Sequence, residues 1–449
     1  MERRRITDTK SSRQLIKKSE AYGLPEVISI SAFLLTLSLF TSSYFERNLL
    51  QLFIFHPSDG WCLNNQNGIG VHCFGDFGAN LVSSSQGLDY FYGSSSLTRQ
   101  YPPLNYYLYA FFHFLAANTN YRTSLLLFLM IMTIGILIPT LSILRKSGLS
   151  RIKFILAALG SLSLLPVIVT LDRGNSVGLA IPFLFFYIYP KDPSNRLKRL
   201  LFISILSNLK PHFVLILLIR FRRRKWRESF EEIVAITGSF AVLLLVGSPA
   251  NAGINLRNFL GAILSYGKAD LNQQYPYNYS FTQGLHNITT GVFKVEYDQV
   301  TTSLCANLLA AIVLILVLWN RENLSQPVVA TLILPLIMLI PGLSYPYYSI
   351  VLIPILVAQS NVFAVHFPIR IGGNVTKVLF IGSFMLSILP LYIGNDMLGV
   401  ASNPHNVFQI LVPSAWVITY SVFVMSTILN AFSFLKKRSG QSTEKQASV

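Results

Sequence analysis

The chain has 449 residues, 52% of them hydrophobic and only 12% charged, about half the charged share of a soluble domain, which excludes an ordinary soluble protein. Its net charge of +17 is gathered in short loops between apolar runs. That distribution argues against a nucleic-acid partner and reads as an orientation signal, with added attraction to anionic lipid.

Apolar runs of 16–25 residues recur along the whole length. Each is long enough to cross a hydrocarbon core as a helix, which satisfies its own backbone groups. The expected fold class is therefore an all-α polytopic membrane protein. Residues 1–25 form a basic cytoplasmic head with Arg3, Arg4, Arg5, Lys10, Arg13, Lys17 and Lys18, and a retained span over about 27–45 leads outward. Residues 46–122 form a first outer loop, whose aromatic stretch 103–118 reads as an interfacial helix because the basic loop after 123–144 must lie inside. The runs 154–170 and 176–189 go out and back. The run 200–219 is flanked by basic residues on both sides, so a single crossing fits poorly; Lys210-Pro211 predicts two half-helices meeting at a break. The run 232–248 exits to a second outer segment, 249–299. The runs 300–319, 327–343, 349–365, 377–393 and 407–433 follow, and a polar cytoplasmic tail, 434–449, is expected to be disordered. The sum is ten ordinary spans plus the half-helix pair, one transmembrane domain over 1–449, with both termini cytoplasmic.

Two long outer segments on a chain of otherwise short loops point to an outer-face site. The acidic candidates in the first are Asp59, Asp76 and Asp89. Asp76, in Phe74-Gly75-Asp76-Phe77-Gly78, has the apolar neighbours and glycines that suit a partly desolvated general base; a solvated loop acid or a helix N-cap is the bland alternative. Lys210 at membrane depth is a functional candidate for binding a phosphate, against snorkelling to the interface. Asn175 and Asn208 are candidates to orient Lys210 or a sugar hydroxyl, or are helix–helix hydrogen bonds. Tyr101, Tyr345, Tyr347 and Tyr348 line a site or belong to an aromatic belt. Cys62 and Cys73 share one outer loop, where a disulfide is possible, and Cys305 reads as a small core residue. The histidines show no metal-ligand spacing, no phosphate-binding loop is present, and neither a metal nor a cofactor is expected.

Taken in order, Gly75-Asp76-Phe77, Tyr90, Tyr101-Pro102-Pro103-Leu104, Arg173-Gly174-Asn175-Ser176, Asn208-Leu209-Lys210-Pro211 with its Arg-rich loop ending in Trp226, Asn278-Tyr279-Ser280-Phe281 and Ser344-Tyr345-Pro346-Tyr347-Tyr348 resemble glycosyltransferase family 87, within the GT-C class. The resemblance covers roughly 70–350. It departs at Tyr345 and Tyr347, where the family usually has Trp and His. What the resemblance implies is a GT-C-like bundle of about 10–12 transmembrane helices. It also implies an inverting single displacement of a sugar, mannose most often, from a polyprenyl-phosphate donor to a lipid or glycan acceptor in envelope biogenesis. A bacterial plasma membrane follows from the same resemblance. Asp76 would be the base; Lys210, then Arg173, Arg257 and Lys268, would meet the leaving phosphate; Tyr101, Asn175, Asn278, Ser280, Tyr347 and Tyr348 would bind substrate. The rival readings are a transporter or flippase, which also uses broken helices with a buried lysine, and a polysaccharide ligase or polymerase.

Overall fold

The computed structural model describes residues 24–44, 74–93, 100–145, 150–190, 192, 194–222, 225–266, 278–321, 324, 326–341, 344–358, 372–391 and 407–446. Cys62, Cys73, Asp59 and Lys268 lie outside the described residues. The described residues are helical throughout, with no strand among them. In chain order the helices are α1 (Leu24–Tyr44), α2 (Gly75–Ser85), α3 (Leu88–Phe91), α4 (Pro103–Asn118), α5 (Tyr121–Leu144) and α6 (Arg151–Gly160). Then come α7 (Leu165–Arg173), α8 (Val177–Ile188), α9 (Arg196–Leu209), α10 (Leu217–Arg220), α11 (Trp226–Gly247) and α12 (Ala252–Tyr266). The last are α13 (Phe281–Gly291), α14 (Gln299–Trp319), α15 (Gln326–Leu339), α16 (Ile353–Ala358), α17 (Gly373–Ile388) and α18 (Val407–Gln446). Three 3₁₀ turns, Ser161–Ser163, Pro211–Ile216 and Pro346–Leu352, join α6 to α7, α9 to α10 and lead into α16.

The protein is a polytopic membrane protein. Four of its described helices are long and apolar enough to cross a bilayer singly, over 121–142, 226–247, 299–319 and 411–431. Arg151–Ser163 with Leu165–Arg173, bent by 63°, makes a fifth if the bent pair is one span. These counts are of the described residues; the expected runs 27–45, 349–365 and 377–393 reach beyond them. Leu165-Pro166, Lys210-Pro211 and Tyr345-Pro346 interrupt apolar runs, since proline removes a helix donor and turns the residue before it away from the α conformation. The shorter apolar helices, such as Val177–Ile188 and Gly373–Ile388, fall short of a core roughly 30 Å thick at 1.5 Å per residue. Interrupted helices at depth require protein around them rather than lipid, and the 3₁₀ turn Pro346–Leu352 is buried along its entire length.

The long helices present apolar side chains outward, as expected in lipid: Val246 on α11, Leu308 on α14 and Met425 on α18 are exposed. Cys305, expected in the core, is also exposed, on the face α14 turns to the bilayer. At the centre stands α15, with Ile333, Leu334, Leu336, Ile337, Met338 and Leu339 all fully buried, the pattern of a helix packed on all sides. The helix α18 runs on to Gln446, so much of the expected disordered tail is helical; Lys436, Lys437, Arg438, Glu444 and Lys445 are good helix formers and let it continue.

Candidate active site

The site begins with how α7 ends. Gly174 adopts the left-handed conformation, φ 61°; its N–H bonds the Leu171 carbonyl, and the Asn175 N–H bonds the Thr170 carbonyl. This is the Schellman closure that glycine allows. It throws Arg173 and Asn175, on either side of the glycine, toward one neighbour. That neighbour is α2. The Phe74 N–H bonds the Asp172 carbonyl at 2.7 Å, and a Cβ on Gly174 would stand 2.8 Å from the Phe77 Cβ, so only glycine permits so close an approach. Phe77 is fully buried against the rings of Tyr109, Phe112, Tyr121 and Phe128, burial worth roughly 1.5–3 kcal/mol for a Phe. It anchors the turn that carries Asp76.

Asp76 thereby meets both residues. Arg173 Nη2 donates to one carboxylate oxygen at 2.6 Å and Asn175 Nδ2 to the other at 2.6 Å. The Asn175 side-chain oxygen accepts from the Val177 N–H at 3.0 Å, which fixes the amide's orientation and caps the start of α8. Each carboxylate oxygen keeps a further lone pair, so Asp76 is oriented and still able to accept a proton.

Lys210 arrives from the broken helix. The residue before Pro211 cannot continue α9, and Lys210 is extended, φ −147°. Asn105, fully buried at the start of α4, secures the break. Its Nδ2 donates to the Leu209 carbonyl at 2.6 Å and its Oδ1 accepts from Ser176 at 2.6 Å, tying α4, α8 and α9 together. The Lys210 ammonium is buried, 1% exposed, and has no hydrogen-bond partner. It lies 3.9 Å from the centre of the Tyr101 ring and 5.7 Å from that of Tyr348. Aromatic faces attract a cation but leave its N–H groups unfilled.

The tyrosines close the chamber. Tyr348 contacts Tyr347 at 4.8 Å, Tyr347 stacks on Tyr345 at 5.5 Å, and Arg173 lies 5.8 Å from the Tyr345 centroid. Asp76, Arg173, Asn175, Lys210, Tyr101 and Tyr345, Tyr347 and Tyr348 therefore form one connected wall.

The other expected site residues divide. Asn278 accepts from the Ser280 and Ser344 N–H groups at 3.1 and 2.8 Å, while the Tyr279 N–H bonds the Ser344 carbonyl. This docks the stretch 278–280 onto the turn before Tyr345. Ser280 caps α13 through the Gln283 N–H. Both hold the wall from behind. Asn208 donates to Ser204 and Ser239, joining α9 to α11. Arg257 is exposed on α12, and no described contact joins it to the chamber. Asp89 is held elsewhere, by Asn251 just before α12 and Asn255 of α12 at 2.7 and 2.8 Å, which separates it from Asp76.

Two residues were not singled out by sequence for this site. Asn105 is one; a lone amide four residues after Tyr101 carries no signal of its own. His212 is the other: its ring lies 4.9 Å from that of Tyr348, and its buried Nε2 has no hydrogen-bond partner. Its place two residues beyond Lys210, across a proline, is the signal that could have found it. Among the described residues no group of three His, Cys, Asp or Glu could hold a metal.

The family model described as glycosyltransferase family 87 matches residues 100–342, just over half the chain. The match takes in Tyr101, Arg173, Asn175, Lys210, Asn278 and Ser280, and the folding of α2 onto α7 brings Asp76 to them from outside it. No curated protein and no solved structure matches.

Proposed function

The chain belongs to glycosyltransferase family 87, and from that premise we propose that it transfers a sugar, mannose first, from a polyprenyl-phosphate donor to a lipid or glycan acceptor at the outer membrane face. The observation that carries this reading is the pairing of an oriented carboxylate, Asp76, with a buried ammonium that lacks a hydrogen-bond partner, Lys210, in one aromatic chamber.

The Asp76 carboxylate takes the proton from the acceptor hydroxyl. The acceptor oxygen attacks the anomeric carbon from the face opposite the phosphate, its new C–O bond forming as the bond from that carbon to the phosphate oxygen breaks. The configuration inverts, so a β-linked donor gives an α-linkage. The leaving phosphate takes the electron pair and gains negative charge, which Lys210 balances in a dry setting where a fixed charge acts strongly. Arg173 and Asn175 position the base. Tyr347, where the family usually has His, and Tyr348 face the sugar or phosphate, and His212, whose ring lies 4.9 Å from that of Tyr348, adds an imidazole there. No nucleotide takes part.

The test is transfer of radiolabel from polyprenyl-phosphate-mannose to a membrane lipid extract by protein reconstituted in lipid. Wild type is expected to form a labelled product and folded Asp76→Asn none. Equal transfer by both would remove Asp76 from its role.

A further inference from the structure

A cavity of about 270 Å³ lies at the end of α9 remote from Lys210, just under the size of small-ligand sites, which begin near about 300 Å³. The ends of α8 and α10 and the first turns of α9 enclose it, with Tyr187, Asp192, Asn195, Lys198, Phe202 and Arg220 in its wall. Arg199 reaches it too, but its charge is met by Glu228, Glu231 and Glu232 at 2.9, 3.0 and 3.0 Å.

The other charges of the wall are not met in this way. Lys198 is exposed and Arg220 partly buried, and neither makes an ion pair among the described residues. Arg220 has one long hydrogen bond, to the Tyr187 carbonyl at 3.4 Å, and lies 5.6 Å from the centre of that ring. The exposed Asp192 carboxylate accepts from the N–H and the hydroxyl of Ser194, both neutral donors. Asn195 spends its side-chain oxygen on the Lys198 N–H, which leaves its amide hydrogens to donate. The cavity thus brings together two cations, one carboxylate and one amide donor over aromatic walls.

Its depth is marked independently. Trp226 and Trp319 are both exposed, and tryptophan gathers at the level of lipid headgroups. Both are tied to the cavity. Trp226 stands two residues before Glu228, the partner of Arg199, and has Arg227 beside its ring. Arg321, two residues past Trp319, donates to the Ile219 carbonyl next to Arg220. On α9 the exposed charges of Arg196 and Lys198 alternate with the exposed apolar Leu197 and Leu201, so water and hydrocarbon meet at this turn. A free inorganic anion would face Asp192 as well as the cations and would leave the aromatic and leucine surfaces unused. A phosphodiester that also carries an amine and acyl chains complements every one of them.

We propose that this cavity seats the headgroup of an amine-bearing membrane phospholipid, with its phosphate between Lys198 and Arg220, its ammonium at Asp192 and its chains along Leu197 and Leu201. The site stands apart from the chamber and does not depend on the transferase reading.

The test titrates purified protein in detergent with dioctanoyl phosphatidylethanolamine, dioctanoyl phosphatidylglycerol and inorganic phosphate, and counts bound molecules by native mass spectrometry. Wild type is expected to bind the ethanolamine lipid most tightly. Lys198→Gln should weaken it about two- to fivefold, the scale of one exposed ion pair, and Arg220→Gln about tenfold, the scale of a hydrogen bond to a charged group. Asp192→Asn should weaken the ethanolamine lipid and leave the glycerol lipid as tight as before or tighter, a change of preference that loss of structure would not produce. Equal binding by wild type and all three variants would overturn the site. Inorganic phosphate competing as well as the lipid would overturn the lipid assignment and give the cations to a free anion. An unchanged preference in Asp192→Asn would overturn the part assigned to the amine.

Discussion

Arg199 and Lys210 lie near opposite ends of one helix, α9, and both are buried, yet their surroundings are opposite. The helix has 14 residues, about 21 Å at 1.5 Å per residue. At one end Arg199 is ringed by carboxylates: Glu228, Glu231 and Glu232 lie 2.9, 3.0 and 3.0 Å away, and Tyr187 donates to Glu232 at 3.1 Å. At the other, Lys210 has two tyrosine faces and no hydrogen-bond acceptor. A buried cation that is fully paired holds helices together. One that is left without an acceptor costs desolvation and is tolerated where a ligand will complete it. The same helix therefore carries one cation paired with carboxylates and one without an acceptor, and the second is the one proposed to meet a ligand.

The largest expected effect breaks the functional end. Asp76→Asn keeps the size of the side chain, turns one of its two acceptors into a donor and removes the proposed base, so kcat should fall roughly 10²–10⁴-fold, measured as label transferred per folded protein. Next comes a reciprocal pair at the two cations. Lys210→Met should cut transfer about 10²–10³-fold while leaving the melting temperature in lipid at or above the wild-type value, because a desolvated charge is lost. Arg199→Met should do the reverse, destabilising by roughly 3–5 kcal/mol through the carboxylates left behind while the protein that remains folded still turns over. Equal loss of stability in both would erase the distinction between the ends.

How much of this was legible in the sequence depends on whether the signal is local. The break at Lys210-Pro211 could be read because proline acts on its immediate neighbour, and the helix at 103–118 because its boundaries are a proline pair and a polar turn. The bend at Leu164 was not read, because hydropathy reports apolar content and is blind to a bend. The partnership of Asp76 with Arg173 and Asn175 was not legible, since it spans nearly a hundred residues and depends on the left-handed Gly174 fitting under Phe77. Asn105 was invisible for the same reason, its partners being a serine on α8 and a carbonyl on α9.

Asn105 gives a smaller test of the frame. Asn105→Ala leaves the Leu209 carbonyl and the Ser176 hydroxyl without their partner, at about 1–3 kcal/mol. It should lower both stability and kcat, because Lys210 follows the freed carbonyl; a change in stability alone would uncouple the break from the chamber. The smallest effect concerns the contact between α3 and α12. Hydrogen bonds from Ser248, Asn255 and Asn251 hold the Asp89 carboxyl below its ordinary value of 3.8. A lowered carboxyl contributes stability above its ordinary pKa and loses it as pH falls through the lowered one. Docking of α12 onto α3 should hence persist at neutral pH and loosen only in acid, below about pH 4. Hydrogen exchange over 252–266 should show this in wild type and lose the pH dependence in Asp89→Asn.

The most direct test of the central claim is the heat stability of reconstituted protein with and without polyprenyl phosphate. If Lys210 awaits an anionic head, saturating ligand should raise the melting temperature of wild type, by linkage worth about 2.7 kcal/mol at a hundredfold excess over Kd, and leave Lys210→Met unmoved. An equal rise in both would show that the phosphate is held elsewhere and that the unpaired ammonium is not its site.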